Sequence, residues 1–288
     1  MKVCVIGNSH LASFKLGWDV IASQFPSVSP SFFGSPAGGL SRLKLKGATL
    51  VPRGEKLKRD LEFTSGGLSS IDISAYDAFV IVGAQAGLLR MLQFNQRHRT
   101  ANWLGVSKYE SLLSEVCFQE AARGALRGRR AISIIRMLRS VTDRPVLLSV
   151  EPFFSLTVKP KSQFWREDAV SALHRVRPIY EAEMDALRSE LGFTLIDQPA
   201  ETVVEECFTA PEFGSGSIKL LEGLATAHSD GEHRHMNSKY GALVARDAVR
   251  QLFSITAPGL ARLAAVVEAP SLMTRLRERA IVGHFIGR

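Results

Sequence analysis

The sequence predicts an α/β fold with a parallel sheet, and two observations support this. Apolar runs at residues 3–6, 76–83 and 146–150 carry few or no charges, which is typical of strands that are buried on both faces. Between such runs lie longer segments with apolar residues at helical spacing, most clearly residues 168–191. Strands that alternate with helices pair in parallel through right-handed crossovers, so we expect helices on both faces of one sheet.

In the first third of the chain, local sequence patterns predict where each strand and helix begins and ends. The first strand stops at Gly7, and residues 11–22 continue as a helix. Residues 31–33 predict a second short strand before the Gly/Pro-rich loop 34–39. Residues 40–67 contain alternating apolar and charged side chains, which is typical of a hairpin with one face in water. We interpret them as a small β-hairpin insertion near the rim of the site.

The remaining elements follow from periodicity and from glycine and proline positions. Gly192 fits the C-terminal cap of the helix over 168–191. Residues 1–253 are predicted to form one domain, and 254–288 a helical C-terminal extension that packs on it or mediates homo-oligomer formation. The further predicted elements are helices at 88–98, 109–122, 131–140 and 237–253, a strand at 193–197, and an irregular region at 201–227.

Composition excludes several classes of protein. A hydrophobic content of 45% over 288 residues is that of a globular chain, and no stretch reaches the length of a transmembrane helix. The three cysteines are widely spaced and fit neither a disulfide framework nor a metal motif. We expect no metal and no cofactor. The net charge of +8 is scattered without a nucleic-acid-binding motif. We expect no nucleic-acid partner and a cytoplasmic location, since no signal peptide is evident.

Ser9 lies at the predicted turn between the first strand and the first helix. The unpaired N–H groups at a helix start stabilise an oxyanion, so a serine there is a candidate nucleophile. A helix cap formed by Asn8 or Ser9 is the simpler alternative. A serine nucleophile needs a base, and the base needs an acid that orients it. Residues 229–241 contain candidates for both, because Asp230, His233 and His235 lie in one polar turn before an apolar helix.

These two stretches, Gly-Asn-Ser-His at the start and His-x-Asn-x-x-Tyr-Gly near the end, resemble the SGNH (GDSL-like) hydrolases. The resemblance implies a three-layer α/β/α, flavodoxin-like domain with Ser9 as the nucleophile. It also implies that a glycine after the second strand donates its N–H to the oxyanion, for which the candidates are Gly34, Gly38 and Gly39. The third sequence block of the family is usually Gly-x-Asn-Asp, in which the asparagine side chain donates to the oxyanion. This chain has Gly83-Ala84-Gln85 there, and Gln85 carries the same amide on a longer arm.

The late turn fits the family in two registers. Asp230 and His233 form a strict Asp-x-x-His, whereas His235 begins the longer match and has Glu232 three residues before it. We favour His235 as the base, with Asp230 or Glu232 as the acid. The alternatives are His233 paired with Asp230, or two inert surface histidines.

The resemblance implies a serine esterase that removes acyl groups, with O-acetyl esters on a small saccharide as the expected substrate. The first alternative is an O-acyltransferase that modifies a polysaccharide. The second is a catalytically inactive SGNH domain that binds a ligand. Retention of Ser9 beside a histidine and acid set opposes the inactive alternative, while the altered block at Gln85 favours it.

Overall fold

The computed structural model describes residues 1–221, 224–229 and 231–256 of the chain. Its strands are β1 (Lys2–Gly7), β2 (Ser29–Gly34), β3 (Leu43–Lys46), β4 (Thr49–Pro52), β5 (Ile71–Asp72), β6 (Ala78–Val82), β7 (His98–Thr100), β8 (Ser111–Leu113), β9 (Val146–Ser149), β10 (Thr194–Ile196), β11 (Val203–Val204), β12 (Phe208–Thr209), β13 (Ile218–Leu221) and β14 (Leu224–Ala227). Its helices are α1 (Leu11–Ile21), α2 (Glu55–Ser65), α3 (Leu88–Arg97), α4 (Glu115–Arg127), α5 (Arg130–Arg139), α6 (Ala169–Leu191), α7 (Pro211–Gly214) and α8 (Ser238–Thr256).

The largest sheet among the described residues has five strands, in the order β10-β9-β6-β1-β2. All four neighbouring pairs are parallel. Counted along the chain, this is the 2-1-3-4-5 order of flavodoxin-like sheets. The predicted α/β fold with a parallel sheet is therefore confirmed.

Both faces of the sheet are covered, as the uncharged strands predict. In β1, Cys4 and Ile6 belong to the main core cluster with α2, α3, α5 and α6. The alternate residues Val3 and Val5 are equally buried but face the opposite side, since side chains alternate along a strand. On that side Phe32 of β2 meets Phe14 of α1, with ring centroids 6.5 Å apart.

The segment 40–67 differs in part from its prediction. β3 and β4 form the expected antiparallel hairpin, which β5 extends to three strands. Residues 55–65, however, are the helix α2, whose Leu57 and Leu61 are completely buried one turn apart. α2 is the crossover from β2 to β6, so only the small sheet is inserted. The alternation of charged and apolar residues concealed a helix whose outer face is rich in lysine and arginine.

Two other segments also differ from their predicted structure. The helix predicted at 109–122 begins only at Glu115, because the Ser114 hydroxyl caps it and residues 111–113 pair with β7. The irregular region 201–227 contains the short pairs β11–β12 and β13–β14. Gly192 ends α6 in a left-handed conformation, as predicted.

The chain divides into two compact units after Ala248. Of the second unit, the described residues 249–256 form the end of α8, and most of the predicted extension lies outside the described residues. The extension's role in self-association stays a prediction.

All three cysteines are free. Within the described ranges, no helix has both the length and the apolar character needed to span a membrane.

Candidate active site

Ser9 lies in the turn between β1 and α1, at the carboxyl edge of the sheet. The Asn8 side chain accepts a hydrogen bond from the His10 N–H at 3.1 Å, and the Asn8 carbonyl accepts one from the Leu11 N–H at 2.9 Å. Asn8 therefore stabilises the turn, and the Ser9 hydroxyl is left for another partner. Gly83 is needed beside this turn, because a Cβ there would lie 2.6 Å from Asn8 Oδ1.

The partner of Ser9 is His235. Its Nε2 atom lies 2.9 Å from Ser9 Oγ, across 226 residues of sequence. His233 is elsewhere: its Nδ1 is 3.2 Å from Lys161 Nζ, and its ring packs edge-on against Phe154. The structure thus brings His235, and not His233, to the serine.

The acidic side of the site is formed by Glu232. Its Oε1 atom lies 3.6 Å from His235 Nδ1, within ion-pair distance but beyond a hydrogen bond. The same oxygen accepts the Arg234 N–H at 2.5 Å, and His235 Nδ1 has no hydrogen-bond partner among the described residues. The other predicted acid, Asp230, lies outside the described residues.

A histidine that the sequence analysis did not single out is also in contact with the site. The ring of His228 is parallel to that of His235, at an interplanar angle of 2° and a centroid distance of 4.3 Å. Ser217 Oγ lies 3.0 Å from His228 Nδ1 and fixes the ring. His10, directly after the serine, lies 5.4 Å from His235 on a ring-centroid basis. His10 is the last residue of the Gly-Asn-Ser-His motif, whereas His228 belongs to no motif with recognisable spacing from the serine.

These contacts keep the imidazoles neutral. Burial lowers the pKa of His235 below its ordinary value, and the neighbouring His228 lowers it further, against the opposing effect of Glu232. Burial, His235 and Arg90 lower the pKa of His10 to about 3. A neutral His235 can accept the proton of Ser9 near pH 7.

Candidate donors for an oxyanion differ in their availability. The Ser9 N–H makes no hydrogen bond with the described residues. The Gly34 N–H donates to Thr64 Oγ1 at 2.8 Å, a contact that α2 supplies. Gly38 and Gly39 do not line the cavity beside Ser9, and the Gly39 N–H donates to the Pro36 carbonyl.

Gln85 does line that cavity. It follows β6 in a turn where Gly83, Ala84 and Gln85 all have left-handed backbone conformations, with φ of 69°, 57° and 69°. Non-glycine residues in this region cost about 1–3 kcal/mol each and cluster at functional sites.

The cavity has a volume of about 510 Å³. Of the residues proposed from sequence it contains Ser9, His235, Glu232, Gly34 and Gln85 in its wall. Glu151, two residues after the end of β9, has a buried carboxylate that forms an ion pair with Arg90 at 2.7 Å. The described residues include no cluster of three or more histidine, cysteine or acidic side chains arranged to hold a metal ion.

Comparisons with known proteins add little to this geometry. No family model matches the chain, and no curated protein matches it significantly. Three of the solved structures that match it align with most of it at low identity. They are a gut microbial diltiazem-metabolizing enzyme (10% identity, TM-score 0.45, covering 87% of this chain and 46% of that chain), a carbohydrate acetylesterase family member from Sinorhizobium meliloti (11%, 0.37, 88% and 100%) and an extracellular lipase from Streptomyces rimosus (13%, 0.44, 86% and 99%). The chain thus spans less than half the length of the first of these structures.

Proposed function

We propose that this protein is a serine ester hydrolase in which Ser9 is the nucleophile and His235 the general base. The observation that carries the proposal is the 2.9 Å contact between Ser9 Oγ and His235 Nε2. Acyl transfer through a covalent intermediate requires a nucleophile and a base within hydrogen-bond reach. The carboxyl edge of a parallel sheet is the usual place for a ligand in such folds. The SGNH resemblance extends the proposal to O-acetyl esters of saccharides.

The reaction proceeds in two steps. His235 takes the proton of Ser9 Oγ, the oxygen attacks the ester carbonyl, and the protonated imidazole then gives its proton to the departing alcohol. A water molecule, deprotonated by the same histidine, releases the acid from the serine. Glu232 stabilises the imidazolium in both steps, with Asp230 as the alternative acid.

The oxyanion is stabilised by the Ser9 N–H and the Gln85 amide. Loss of one such donor costs about 2.7–4 kcal/mol of barrier. Gly34 joins them only when its N–H leaves the Thr64 hydroxyl, which it contacts in the free protein.

Two observations favour an inactive binding domain as the second candidate. His235 Nδ1 has no hydrogen-bond partner among the described residues, and the Gly34 N–H is already occupied. An orienting hydrogen bond to the base is a general feature of working triads. The two candidates differ in whether the serine is reactive.

Labelling with a fluorophosphonate probe tests this difference. We expect the wild type to be labelled, Ser9→Ala and His235→Ala to be unlabelled, and His233→Ala to be labelled like the wild type. His233 is the matched control, because it lies two residues from the base and contacts Lys161 instead of the serine. Glu232→Gln and Asp230→Asn, compared in the same assay, identify the acid by the larger loss of labelling rate.

Folding of every variant is checked by circular dichroism. Folded wild type that stays unlabelled while a control esterase reacts would rule out the hydrolase proposal and favour the binding domain. Labelling that survives Ser9→Ala would show that the reactive residue is another one.

A further inference from the structure

The cavity beside Ser9 is unusually rich in positive charge. Its described wall contains two carboxylates, Asp60 and Glu232, and apolar side chains such as Phe63 and Leu89. The cations in the same wall outnumber these carboxylates: they are Lys56, Arg59, Arg90, Lys219 and Arg234.

Two of these cations already have partners. Arg90 Nε lies 2.7 Å from the buried carboxylate of Glu151. Lys56 Nζ lies 3.4 Å from Asp60, four residues along α2. Neither cation needs a ligand to balance its charge.

Arg59 and Lys219 are different. Both are exposed, and neither side chain has a hydrogen bond or an ion pair with a described residue. They come from elements far apart in sequence, the crossover helix α2 and the strand β13, yet both reach the wall of the same cavity. Like charges that converge on a concave site repel one another, and an anion relieves that repulsion.

Arg234 adds to the same field. Its guanidinium lies 5.8 Å from the centre of the Phe154 ring, and it makes no ion pair with a described residue. The adjacent carboxylate of Glu232 faces His235 and is part of the catalytic set. The cavity volume of about 510 Å³ falls within the range of small-molecule sites and is large enough for an ester and a second polar group.

We propose that the ester hydrolysed at Ser9 carries an anionic group, a carboxylate or a phosphate, which Arg59 and Lys219 bind. This inference rests on the proposed hydrolase function and adds the substrate class to it. Arginine and lysine suit the role because charge-assisted hydrogen bonds to such oxygens are stronger than neutral ones.

Three acetyl esters of similar size test the inference: an O-acetylated uronic acid, an O-acetylated sugar phosphate and an O-acetylated neutral hexose. We expect wild-type kcat/KM to be about tenfold higher for one or both anionic esters, the size of effect that one charge-assisted hydrogen bond produces. The two anionic esters distinguish carboxylate from phosphate. Arg59→Gln and Lys219→Gln should each lower the ratio of anionic to neutral kcat/KM.

Lys58→Gln is the matched control. Lys58 precedes Arg59 on α2 but does not line the cavity, so its substitution should leave the ratio unchanged. Labelling of Ser9 without faster turnover of either anionic ester would overturn the inference and leave the hydrolase proposal standing. An unchanged ratio of anionic to neutral kcat/KM in both Arg59→Gln and Lys219→Gln would also overturn the inference. Absence of both labelling and hydrolysis would instead remove the proposed function itself.

Discussion

At the scale of single residues, the site depends on the environment of His235. Ser9 and Glu232 face its two ring nitrogens, and the His228 ring covers one face. A second imidazole at 4.3 Å opposes protonation of the first, because two cations at that distance repel each other. Glu232 has the opposite effect. Burial, together with this balance, holds the pKa of His235 below its ordinary value.

This balance predicts the effect of His228→Phe. Phenylalanine keeps a stacked aromatic ring but removes the titratable group that lowers the pKa of His235. That pKa should therefore rise, and the base becomes protonated at a higher pH. We expect the acid limb of the kcat/KM profile, which reports the base of the free enzyme, to shift to higher pH. His10, Glu232 and Arg234 also act on the site and remain unchanged.

His174→Phe is the control for this measurement, because His174 pairs with Glu206 and does not line the cavity. Its profile should match the wild type. An acid limb that stays in place or moves to lower pH in His228→Phe would contradict the assigned role of His228.

What the sequence could reveal at this scale depended on local motifs. The residues after His235 fit a known ending, which favours His235 over His233 as the base. His235 Nε2 lies 2.9 Å from Ser9 Oγ, and its role as the base stays a prediction. His228 could not be found, since it reaches the site through the pairing of β13 with β14. Such a contact has no signature in the spacing of the chain.

At the scale of elements, two helices hold Ser9 and His235 together. α1 begins two residues after Ser9, and α8 begins three residues after His235. They cross at Gly17 and Gly241: a Cβ at Gly241 would lie 1.7 Å from the Ser13 carbonyl oxygen. The start of α8 is also fixed, because the Asn237 side chain accepts the Tyr240 N–H at 3.2 Å.

Gly241→Ala should therefore damage the site from a distance. The added methyl group forces α1 and α8 apart, and overpacking of this kind typically costs about 1–3 kcal/mol of stability. A displacement of about 1 Å between reacting groups can cost roughly 10²-fold in rate. We expect a lower Tm and a fall in kcat/KM of that order, measured by thermal unfolding and ester hydrolysis.

Gly124→Ala is the corresponding control within a helix. Nothing lies within 4 Å of a Cβ at Gly124 in α4, so alanine there should stabilise the helix by about 0.5–1 kcal/mol and leave activity unchanged. Wild-type stability and activity in Gly241→Ala would show that the crossing does not align the site.

The elements themselves were predicted with uneven success, for a physical reason. β1, β6 and β9 were predicted from sequence because strands buried on both faces are apolar throughout. α2 was missed because only Leu57, Leu61 and Thr64 are buried, and its remaining residues are mostly charged. The same helix contains Thr64, whose hydroxyl accepts the Gly34 N–H. Because the sequence did not predict α2, it could not show that this candidate oxyanion donor already has a hydrogen-bond partner.

At the scale of the whole molecule, the topology gathers the site at one edge. The parallel register aligns Gly7 with Gly34 and with Val82, and Val82 with Ser149. The loops that follow these strands therefore begin side by side, which is the usual position of ligand sites in such sheets. The predicted parallel sheet already implies this convergence, because the carboxyl ends of parallel strands lie at the same edge of the sheet. The sequence does not predict which side chains the loops direct inward.

Charge acts at the same scale. The net charge of +8 attracts anions at long range. Salt screens this attraction, with a Debye length of about 10 Å at 0.1 M ionic strength. If the substrate is anionic, kcat/KM for the acetylated uronic acid or sugar phosphate should fall as sodium chloride is raised, while the neutral hexose ester shows little change. Arg59→Gln should reduce the slope of this dependence without abolishing it, since the other cations remain. Equal slopes for charged and neutral esters would indicate that the positive field does not guide the substrate, and that salt acts on the protein itself.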